Sequence, residues 1–162
     1  MPFPFVSKLD SSLAVEVYLH EFYLGDRPRR CWTYLTKGLS GHGQREMALS
    51  LLVDDEGDAE DLPQTPLKMF QLLGERTSAG RIVECGDSTR LGQRGIFGFP
   101  GLFYVPAIQY ESLPNLDESL SLILVHREEY DYIRQYGLTR FLSHLGRFCS
   151  SFPYPTWNTQ AR

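Results

Sequence analysis

The sequence lacks several features that define large classes of proteins. None of its segments approaches the roughly 20 apolar residues that a membrane-spanning helix needs. Its first ten residues, MPFPFVSKLD, lack the basic region and long apolar run of a secretory signal. The three cysteines, Cys31, Cys85 and Cys149, are odd in number and widely spread, which disfavours a disulfide framework. These absences predict a cytoplasmic protein with no membrane partner.

An excess of positive charge is missing too. The 162 residues carry a formal net charge of −4, which argues against general nucleic-acid binding, because such binding needs a positive field. A hydrophobic content of 42% is ordinary for a globular protein, and a chain of this length buries roughly two thirds of its unfolded surface. We therefore expect a single domain over residues 1–162, with no direct nucleic-acid partner.

Motifs for metals, cofactors and covalent catalysis are also missing. The histidines form no i, i+4 pair and the cysteines no CxxC, so no spacing proposes the three or four ligands of zinc. We expect no metal and no cofactor. A nucleophile made of Cys31 with His42, or centred on Ser40, stays open because such groups meet in space rather than in sequence. Cys31 nevertheless begins an apolar strand, where a thiol is usually buried and inert.

The most informative segment that is present runs from Cys31 to Val53, CWTYLTKGLSGHGQREMALSLLV. It contains two β-like runs around a loop with three glycines. A phosphate-binding P-loop needs Lys and then Ser or Thr where Gln44 and Arg45 stand. The dinucleotide fingerprint fails as well, because Glu46 occupies the place of its third glycine. The glycines therefore predict a long hairpin loop that turns through positive φ.

Hydrophobic periodicity predicts the remaining elements. Thr65 as N-cap and Pro66 as first helical residue predict a helix that ends at Gly80, and a second helical region over 128–148 is broken at Gly137. Apolar residues that alternate or run together predict, besides a turn at GDRP (25–28), six strands at residues 13–20, 32–36, 46–53, 81–84, 102–105 and 120–126. The order of elements predicts an α+β fold, in which helices pack against a mixed, mostly antiparallel β-sheet.

One segment is strongly charged. Residues 54–61, DDEGDAED, hold six carboxylates, so the rest of the chain carries a net +2. Most charge runs are solvated loops, and this one lacks the spacing of an EF-hand calcium loop. Dense carboxylates also suit contact with a basic protein partner. The candidate partner-binding residues are these acids and three aromatic residues that can anchor an interface: Asp54, Asp55, Glu56, Asp58, Glu60, Asp61, Tyr110, Tyr130 and Trp157.

A distributed pattern over roughly residues 13–157 resembles the Suppressor of fused-like domain family, and the related C-terminal domain of endosomal FYVE-finger adaptors of the SARA type. An aromatic strand leads into Gly38-Leu39-Ser40, and the polar residues 44–46 precede the next strand. Pro106 follows a hydrophobic strand, a leucine-proline precedes the last strand, and a late acidic and aromatic stretch completes the pattern. The segments concerned are CWTYLTKGLSGHGQREMALSLL, LFYVPAIQYESLP, SLILVHREE and YGLTRFLSHLGRFCSSFPYPTW.

The resemblance implies a protein-binding fold and supplies no catalytic residues. The chain has no FYVE finger and no long C-terminal extension, which makes it similar to the compact bacterial members of the family. Those are commonly immunity proteins paired with secreted toxins, nucleases among them. The implied function is to bind a cognate toxin, such as one delivered by type VI secretion, and to block its active site or substrate groove. A non-catalytic adaptor for a cellular protein, and a small hydrolase using Cys31 or Ser40, are the alternatives.

Overall fold

Seven strands form one sheet in the computed structural model, which describes residues 5–9, 13–24, 26–52, 64–92, 95, 99–107, 113, 116 and 118–148. Side chains are described in these ranges except at 5–7, 22–24, 27, 29, 52 and 145–148. The strands are β1 (Phe5–Lys8), β2 (Ala14–Leu24), β3 (Arg27–Lys37), β4 (Met47–Leu52), β5 (Ser88–Arg90), β6 (Gly101–Pro106) and β7 (Leu120–Val125). The helices are α1 (Thr65–Ser78), α2 (Arg127–Tyr136) and α3 (Leu138–Phe148).

The sheet is mixed, with the strand order β1-β2-β3-β4-β7-β6-β5. All neighbours are antiparallel except β4 and β7, which run parallel with Met47 opposite Leu120. β7 lies between β4 and β6 and is buried along its whole length, as its continuous apolar sequence predicts for a strand covered on both faces. The predicted α+β class, with a mostly antiparallel sheet, is confirmed.

Helix α1 covers one face of the sheet. Its residues Leu67, Phe70 and Leu73 share an apolar core with side chains of β2, β3, β4, β6 and β7, as expected for an amphipathic helix with one apolar stripe. Gly74 lies beside this stripe, and a Cβ atom added there would overlap the side chain of Leu13. The glycine therefore lets the helix approach the chain segment that precedes β2.

Helices α2 and α3 pack on the opposite face, over β6 and β7. Phe103 and Ile123 of these strands share an apolar cluster with Ile133 of α2 and Phe141 of α3. The helices meet at Gly137, whose φ is 94°, a value that glycine adopts without steric cost. The predicted break at this residue is confirmed. No helix within the described residues has both the length and the apolar character needed to cross a membrane.

The start of α2 explains the acidic residues that follow β7. The backbone N–H of His126 donates a hydrogen bond to the carboxylate of Glu129 at 2.8 Å, and the His126 side chain accepts one from the Glu129 backbone in return. This reciprocal pair is a capping box. Glu128 lies in the same first turn, where negative charge is favourable. Both glutamates therefore stabilise the N-terminus of α2.

Two predicted features at strand and helix starts are wrong. Residue Thr65 is not the N-cap of α1, because the helix begins at Thr65 and Gln64 occupies the cap position. Pro66 is then the second helical residue, which is compatible with its missing N–H, since the N–H groups of the first turn have no intrahelical acceptor. The turn predicted at 25–28 is shorter, because Pro28 already belongs to β3. Proline fits there because β4 pairs only with residues 31–35 of β3.

The strand predicted at 81–84 is also wrong. This segment has no regular structure, and the strand of this region is β5, which pairs with β6 from Ser88 opposite Phe103 to Arg90 opposite Gly101. Strand β1, which pairs with β2, was not predicted by the sequence pattern. The backbone at 81–84 is irregular because Val83 binds the side chain of Gln44, in the glycine-rich loop, instead of a neighbouring strand.

Candidate functional site

The glycine-rich loop between β3 and β4 forms a single 3₁₀ turn, Leu39–His42. Gly38 precedes this turn with φ of 121°, and Gly43 follows it with φ of 78°. Both values lie in the region that favours glycine, so the predicted positive-φ loop is confirmed at these two positions. Gly41 lies inside the turn without a positive φ.

The loop folds around the carboxylate of Glu46. The backbone N–H groups of residues 38, 39 and 40 donate to its two oxygens at 3.2, 3.0 and 3.3 Å. The hydroxyl of Thr36 donates a fourth hydrogen bond at 3.0 Å. Successive N–H groups that point to one side make an anion-binding nest. Here the anion belongs to the chain, so the donors that a phosphate would need are already occupied.

Gln44 attaches the loop to the segment that follows α1. Its side chain is 1% exposed, its Oε1 accepts a hydrogen bond from the Val83 N–H at 2.7 Å, and its Nε2 donates to the Val83 carbonyl at 2.9 Å. An amide side chain therefore satisfies the backbone groups that a neighbouring strand would otherwise bind. Both backbone groups of Val83 therefore have hydrogen-bond partners although residues 81–84 form no strand.

Arg45 and Glu46 attach the loop to the turn before β7. Arg45 donates from Nε to the carbonyl of Glu118 at 3.1 Å and from Nη2 to the carbonyl of Ser119 at 3.0 Å. The Glu46 carbonyl accepts a hydrogen bond from the N–H of Leu120 at 2.8 Å. Three successive polar residues, 44–46, thus hold three separate segments. The motif that is most conspicuous in the sequence is a structural junction.

An open groove of about 910 Å³ lies beside this junction. Leu35 and Leu116 give it an apolar side, and Lys37, Arg45 and Glu118 give it charge of both signs. Its volume lies within the range of small-molecule sites, but those usually enclose most of their ligand. A groove that is open to solvent and charged at its edge is better suited to a segment of a protein partner.

A buried polar cluster spans strands β2, β3 and β4. The hairpin register places His20 directly opposite Cys31, and its Nε2 lies 3.0 Å from the Cys31 Sγ and 2.7 Å from the Thr33 hydroxyl oxygen. The Thr33 hydroxyl in turn lies 2.7 Å from that of Ser50. The histidine that contacts Cys31 is therefore His20. His42 lies beyond the end of β3. That end is about 20 Å from Cys31, from the rise of an extended strand.

Burial keeps both members of the Cys31–His20 pair neutral. Desolvation raises the pKa of the Cys31 thiol to about 12 and lowers the pKa of His20 to about 4. A cysteine nucleophile requires the opposite arrangement, in which a lowered thiol pKa yields a thiolate beside an imidazolium. The cluster consequently contributes hydrogen bonds within the sheet, and its thiol is 0% exposed.

Neither Ser40 nor the metal-binding residue types form a catalytic or metal-binding group within the described residues. Ser40 is exposed in the 3₁₀ turn, and its hydroxyl has no hydrogen-bond partner within the described part of the chain. Across the same ranges, no group of three or more His, Cys, Asp or Glu side chains lies close enough together to hold a metal ion. No base for Ser40 is therefore assigned.

The predicted partner-binding residues fall mostly in segments outside the described ranges. Eight of the nine lie outside the described residues: Asp54, Asp55, Glu56, Asp58, Glu60, Asp61, Tyr110 and Trp157. The acidic segment lies between the end of β4 and the start of α1. Its role in partner binding stays a prediction.

Tyr130, the ninth residue, is half-buried on α2. Its ring lies 5.5 Å from that of Phe103, centre to centre, and its hydroxyl is 3.4 Å from the Ser88 oxygen. The Arg90 guanidinium stacks over it at 5.7 Å, an attractive cation–π contact. The Ser88 hydrogen bond, with a smaller contribution from Arg90, lowers the pKa of Tyr130. This tyrosine mainly packs α2 onto the sheet.

A surface that the sequence pattern did not single out lies on α2 and α3. We call it the α2–α3 patch; it consists of Tyr132, Tyr136, Arg140 and His144. The Tyr132 ring lies 4.8 Å from that of Tyr136 and 6.1 Å from that of His144, and the Arg140 guanidinium is 5.3 Å from the centre of the Tyr136 ring. Tyr136 is 48% exposed. The i, i+4 spacing of the two tyrosines is a sequence signal that would have found them.

Comparison with known proteins adds no relative. A scan against models of known protein families finds no match, and a search of curated proteins finds none either. The resemblance to the Suppressor of fused-like family therefore stays a prediction. What the chain does has to be inferred from its own residues together with that resemblance.

Proposed function

We propose that this protein is a cytoplasmic immunity protein that binds a cognate secreted bacterial toxin and blocks its active site or substrate groove. The observation that carries the proposal is the α2–α3 patch, in which Tyr136 is about half exposed and Arg140 stacks on it. Tyrosine and arginine are the residue types that dominate binding energy at protein–protein interfaces. The resemblance to the compact bacterial members of the Suppressor of fused-like family supplies the kind of partner.

The use of reactive residue types elsewhere in the chain supports a binding role. The Glu46 carboxylate is committed to four hydrogen bonds within its own loop. Burial holds Cys31 as a thiol and His20 as a neutral imidazole. The carboxylate of Glu46, the thiol of Cys31 and the imidazole of His20 therefore stabilise the fold through contacts within the chain.

Co-expression with the product of the neighbouring gene tests the proposal. We expect that product to kill cells alone, and the chain to restore survival and co-purify with it in a fixed ratio. A toxic neighbour that the chain neither binds nor neutralises would refute the proposal. Binding to a cellular protein without rescue would indicate the alternative role, a non-catalytic adaptor.

Substitution in the patch locates the interface. The double variant Tyr136→Ala/Arg140→Ala should bind the toxin at least tenfold more weakly, because loss of a central anchor costs more than about 1.4 kcal/mol. Leu72→Ala is the matched control, since Leu72 is also an exposed large hydrophobic residue but lies on α1. If the wild-type protein, the double variant and Leu72→Ala bind the toxin with equal affinity, the α2–α3 patch is not part of the interface.

The acidic segment is tested separately by reversing its charge. Replacing Asp54, Asp55, Asp58 and Asp61 by lysine should weaken toxin binding and flatten its dependence on salt, because screening acts on exposed charges. Affinity and salt dependence that both match the wild-type protein would eliminate this segment as a contact.

A hydrolase using Cys31 is the second candidate, favoured by the 3.0 Å contact between Sγ and His20 Nε2. It requires turnover of an ester or peptide substrate by the purified chain, and loss of that turnover in Cys31→Ala. Loss in Ser40→Ala instead would indicate a serine nucleophile. Turnover that survives both substitutions would exclude both sites.

A further inference from the structure

A second, smaller cavity lies on the α1 side of the sheet. It has a volume of about 230 Å³ and is bounded by the last turns of α1, the segment after that helix, β5 and the start of β4. We call it the arginine pocket, because Arg76 of α1 and Arg81, which follows that helix, line it. Arg90 of β5 also borders it, but its guanidinium lies over Tyr130 of α2, on the opposite face of the sheet. Its apolar floor includes the buried Met47 and Leu73.

The arginines of the pocket have no ion-pair partner among the described residues. No carboxylate lines the cavity, and none of the three arginines forms an ion pair within the described ranges. Arg76 makes only a long hydrogen bond, 3.5 Å from Nη1 to the Arg90 carbonyl, while Arg90 stacks on Tyr130. The two cations that remain on the α1 side, Arg76 and Arg81, repel one another, so a negative ligand would stabilise the arrangement.

Hydroxyl groups add hydrogen-bond donors to the same cavity. The Thr89 hydroxyl oxygen lies 2.7 Å from that of Tyr104, and both residues line the pocket. A hydrogen bond between two hydroxyls uses one of their two protons, which leaves the other available to a ligand. Burial raises the pKa of Tyr104, so its phenol remains a neutral donor.

The size of the cavity limits what can occupy it. At roughly 30 Å³ for each water molecule, 230 Å³ holds about eight waters. That is enough for one small anion with some of its hydration, and it lies below the roughly 300 Å³ at which drug-sized ligands begin to fit. Guanidinium groups bind phosphate oxygens in a bidentate manner.

We propose that the arginine pocket binds a tetrahedral oxyanion of the phosphate class, either free phosphate or the phosphate monoester group of a larger ligand. The assignment rests on Arg76 and Arg81, which line one small cavity together with the Thr89–Tyr104 hydroxyl pair. A doubly charged tetrahedral anion can accept hydrogen bonds from two guanidinium groups and a hydroxyl at once, whereas a planar carboxylate carries one charge and only two oxygens. This site is independent of the proposed immunity function.

Titration of the full chain tests the site with three probes: inorganic phosphate, phenyl phosphate and acetate. Binding is measured by calorimetry at constant ionic strength and neutral pH. We expect saturable binding of both phosphate probes and at least tenfold weaker binding of acetate. Tighter binding of phenyl phosphate supports a phosphate monoester as the natural ligand, and tighter binding of inorganic phosphate supports the free anion.

Variants separate the pocket from general charge effects. Arg81→Gln should weaken phosphate binding at least tenfold, and Tyr104→Phe should weaken it a few-fold while the ring keeps its packing. Arg127→Gln, an equal charge change at an exposed position on α2, should leave it unchanged. The proposal is overturned if neither phosphate probe saturates, if acetate binds as tightly as phosphate, or if Arg81→Gln and Arg127→Gln have equal effects.

Discussion

Charged side chains have opposite surroundings in the glycine-rich loop and in the arginine pocket. The two regions are neighbours, because Gln44 of the loop is hydrogen-bonded to Val83, which lines the pocket. In the loop, the Glu46 carboxylate accepts four hydrogen bonds from its own chain. In the pocket, Arg76 and Arg81 line the cavity and no carboxylate does. The region that is conspicuous in the sequence stabilises the fold, while the inconspicuous one keeps its charge available for a ligand.

Removal of the Glu46 charge should have the largest effect on stability. Glu46→Gln replaces a carboxylate that accepts four hydrogen bonds by an amide with a single acceptor oxygen, so donors of the nest lose their partner. Hydrogen bonds to charged groups contribute about 1.5–3 kcal/mol each and are not additive. We expect the free energy of unfolding, measured in urea, to fall by about 3 kcal/mol.

Glu118→Gln is the matched control for this change. Glu118 is an exposed glutamate on the rim of the same groove, where substitutions usually change stability by less than about 0.5 kcal/mol. If both variants lose the same small amount, the carboxylate of Glu46 does not hold the loop together and the contrast with the pocket disappears.

The buried cluster around His20 resembles the glycine-rich loop, because its polar groups bond to one another. Burial of His20 should also make stability depend on pH. The pKa of His20 is about 4 in the folded state against an ordinary value of 6.5. Between these values the unfolded chain binds a proton that the folded chain excludes, so stability present at neutral pH is lost as the pH falls from 6.5 to 4. We expect a contribution of about 3 kcal/mol over this window.

The contribution is read from variants, since carboxyl groups also titrate in the same range. His20→Gln should show a smaller loss of stability between pH 6.5 and 4 than the wild-type protein, and His42→Gln, at an exposed loop position, should show the same loss. Parallel stability curves for all three proteins would mean that His20 is not held neutral by burial.

Two glycines extend the comparison between conspicuous and inconspicuous positions. Alanine usually stabilises a helix by up to 1 kcal/mol over glycine, but at Gly74 its Cβ would overlap the buried Leu13 side chain, and overpacking costs about 1–3 kcal/mol. We expect Gly74→Ala to destabilise the protein by about 1 kcal/mol. Gly41→Ala should be close to neutral, because no heavy atom lies within 4 Å of its added Cβ. A Gly74→Ala variant more stable than wild type would contradict the packing.

Removal of pocket charge should have the smallest effect. Arg76→Gln/Arg81→Gln should leave the free energy of unfolding within about 0.5 kcal/mol of wild type or raise it slightly, because these arginines form no described ion pair and repel each other. The measurement is made in phosphate-free buffer, since a bound anion would itself add stability. A loss of several kcal/mol would show that the arginines hold the fold together.

Local pattern was sufficient for the elements whose residues carry their own periodicity. The alternating residues of β2 and β4, the apolar run of β7 and the break at Gly137 are all seen in the structure. The strand predicted at 81–84 failed because a strand needs a neighbouring backbone, and Val83 instead binds the side chain of Gln44. That partner is 39 residues away, so no local window contains it.

The functional groups were harder to foresee, because they depend on register and convergence. His20 meets Cys31 because the β2–β3 hairpin turns after Leu24, which pairs with Arg27; a turn centred there would have predicted the contact. The arginine pocket leaves no comparable signal. Arg76 and Arg81 have no characteristic spacing from Thr89 and Tyr104, and only the packing of α1 beside β5 and β6 brings these residues to one cavity.

Amide chemical shifts during a titration of the isotope-labelled chain with inorganic phosphate test the central contrast most directly, because they report on both regions in one experiment. The account predicts saturable shifts at Thr77, Val83 and residues 88–90 around the arginine pocket, with the N–H groups of residues 38–40 unmoved because Glu46 already occupies them. Saturable shifts at 38–40 without shifts around the pocket would contradict it.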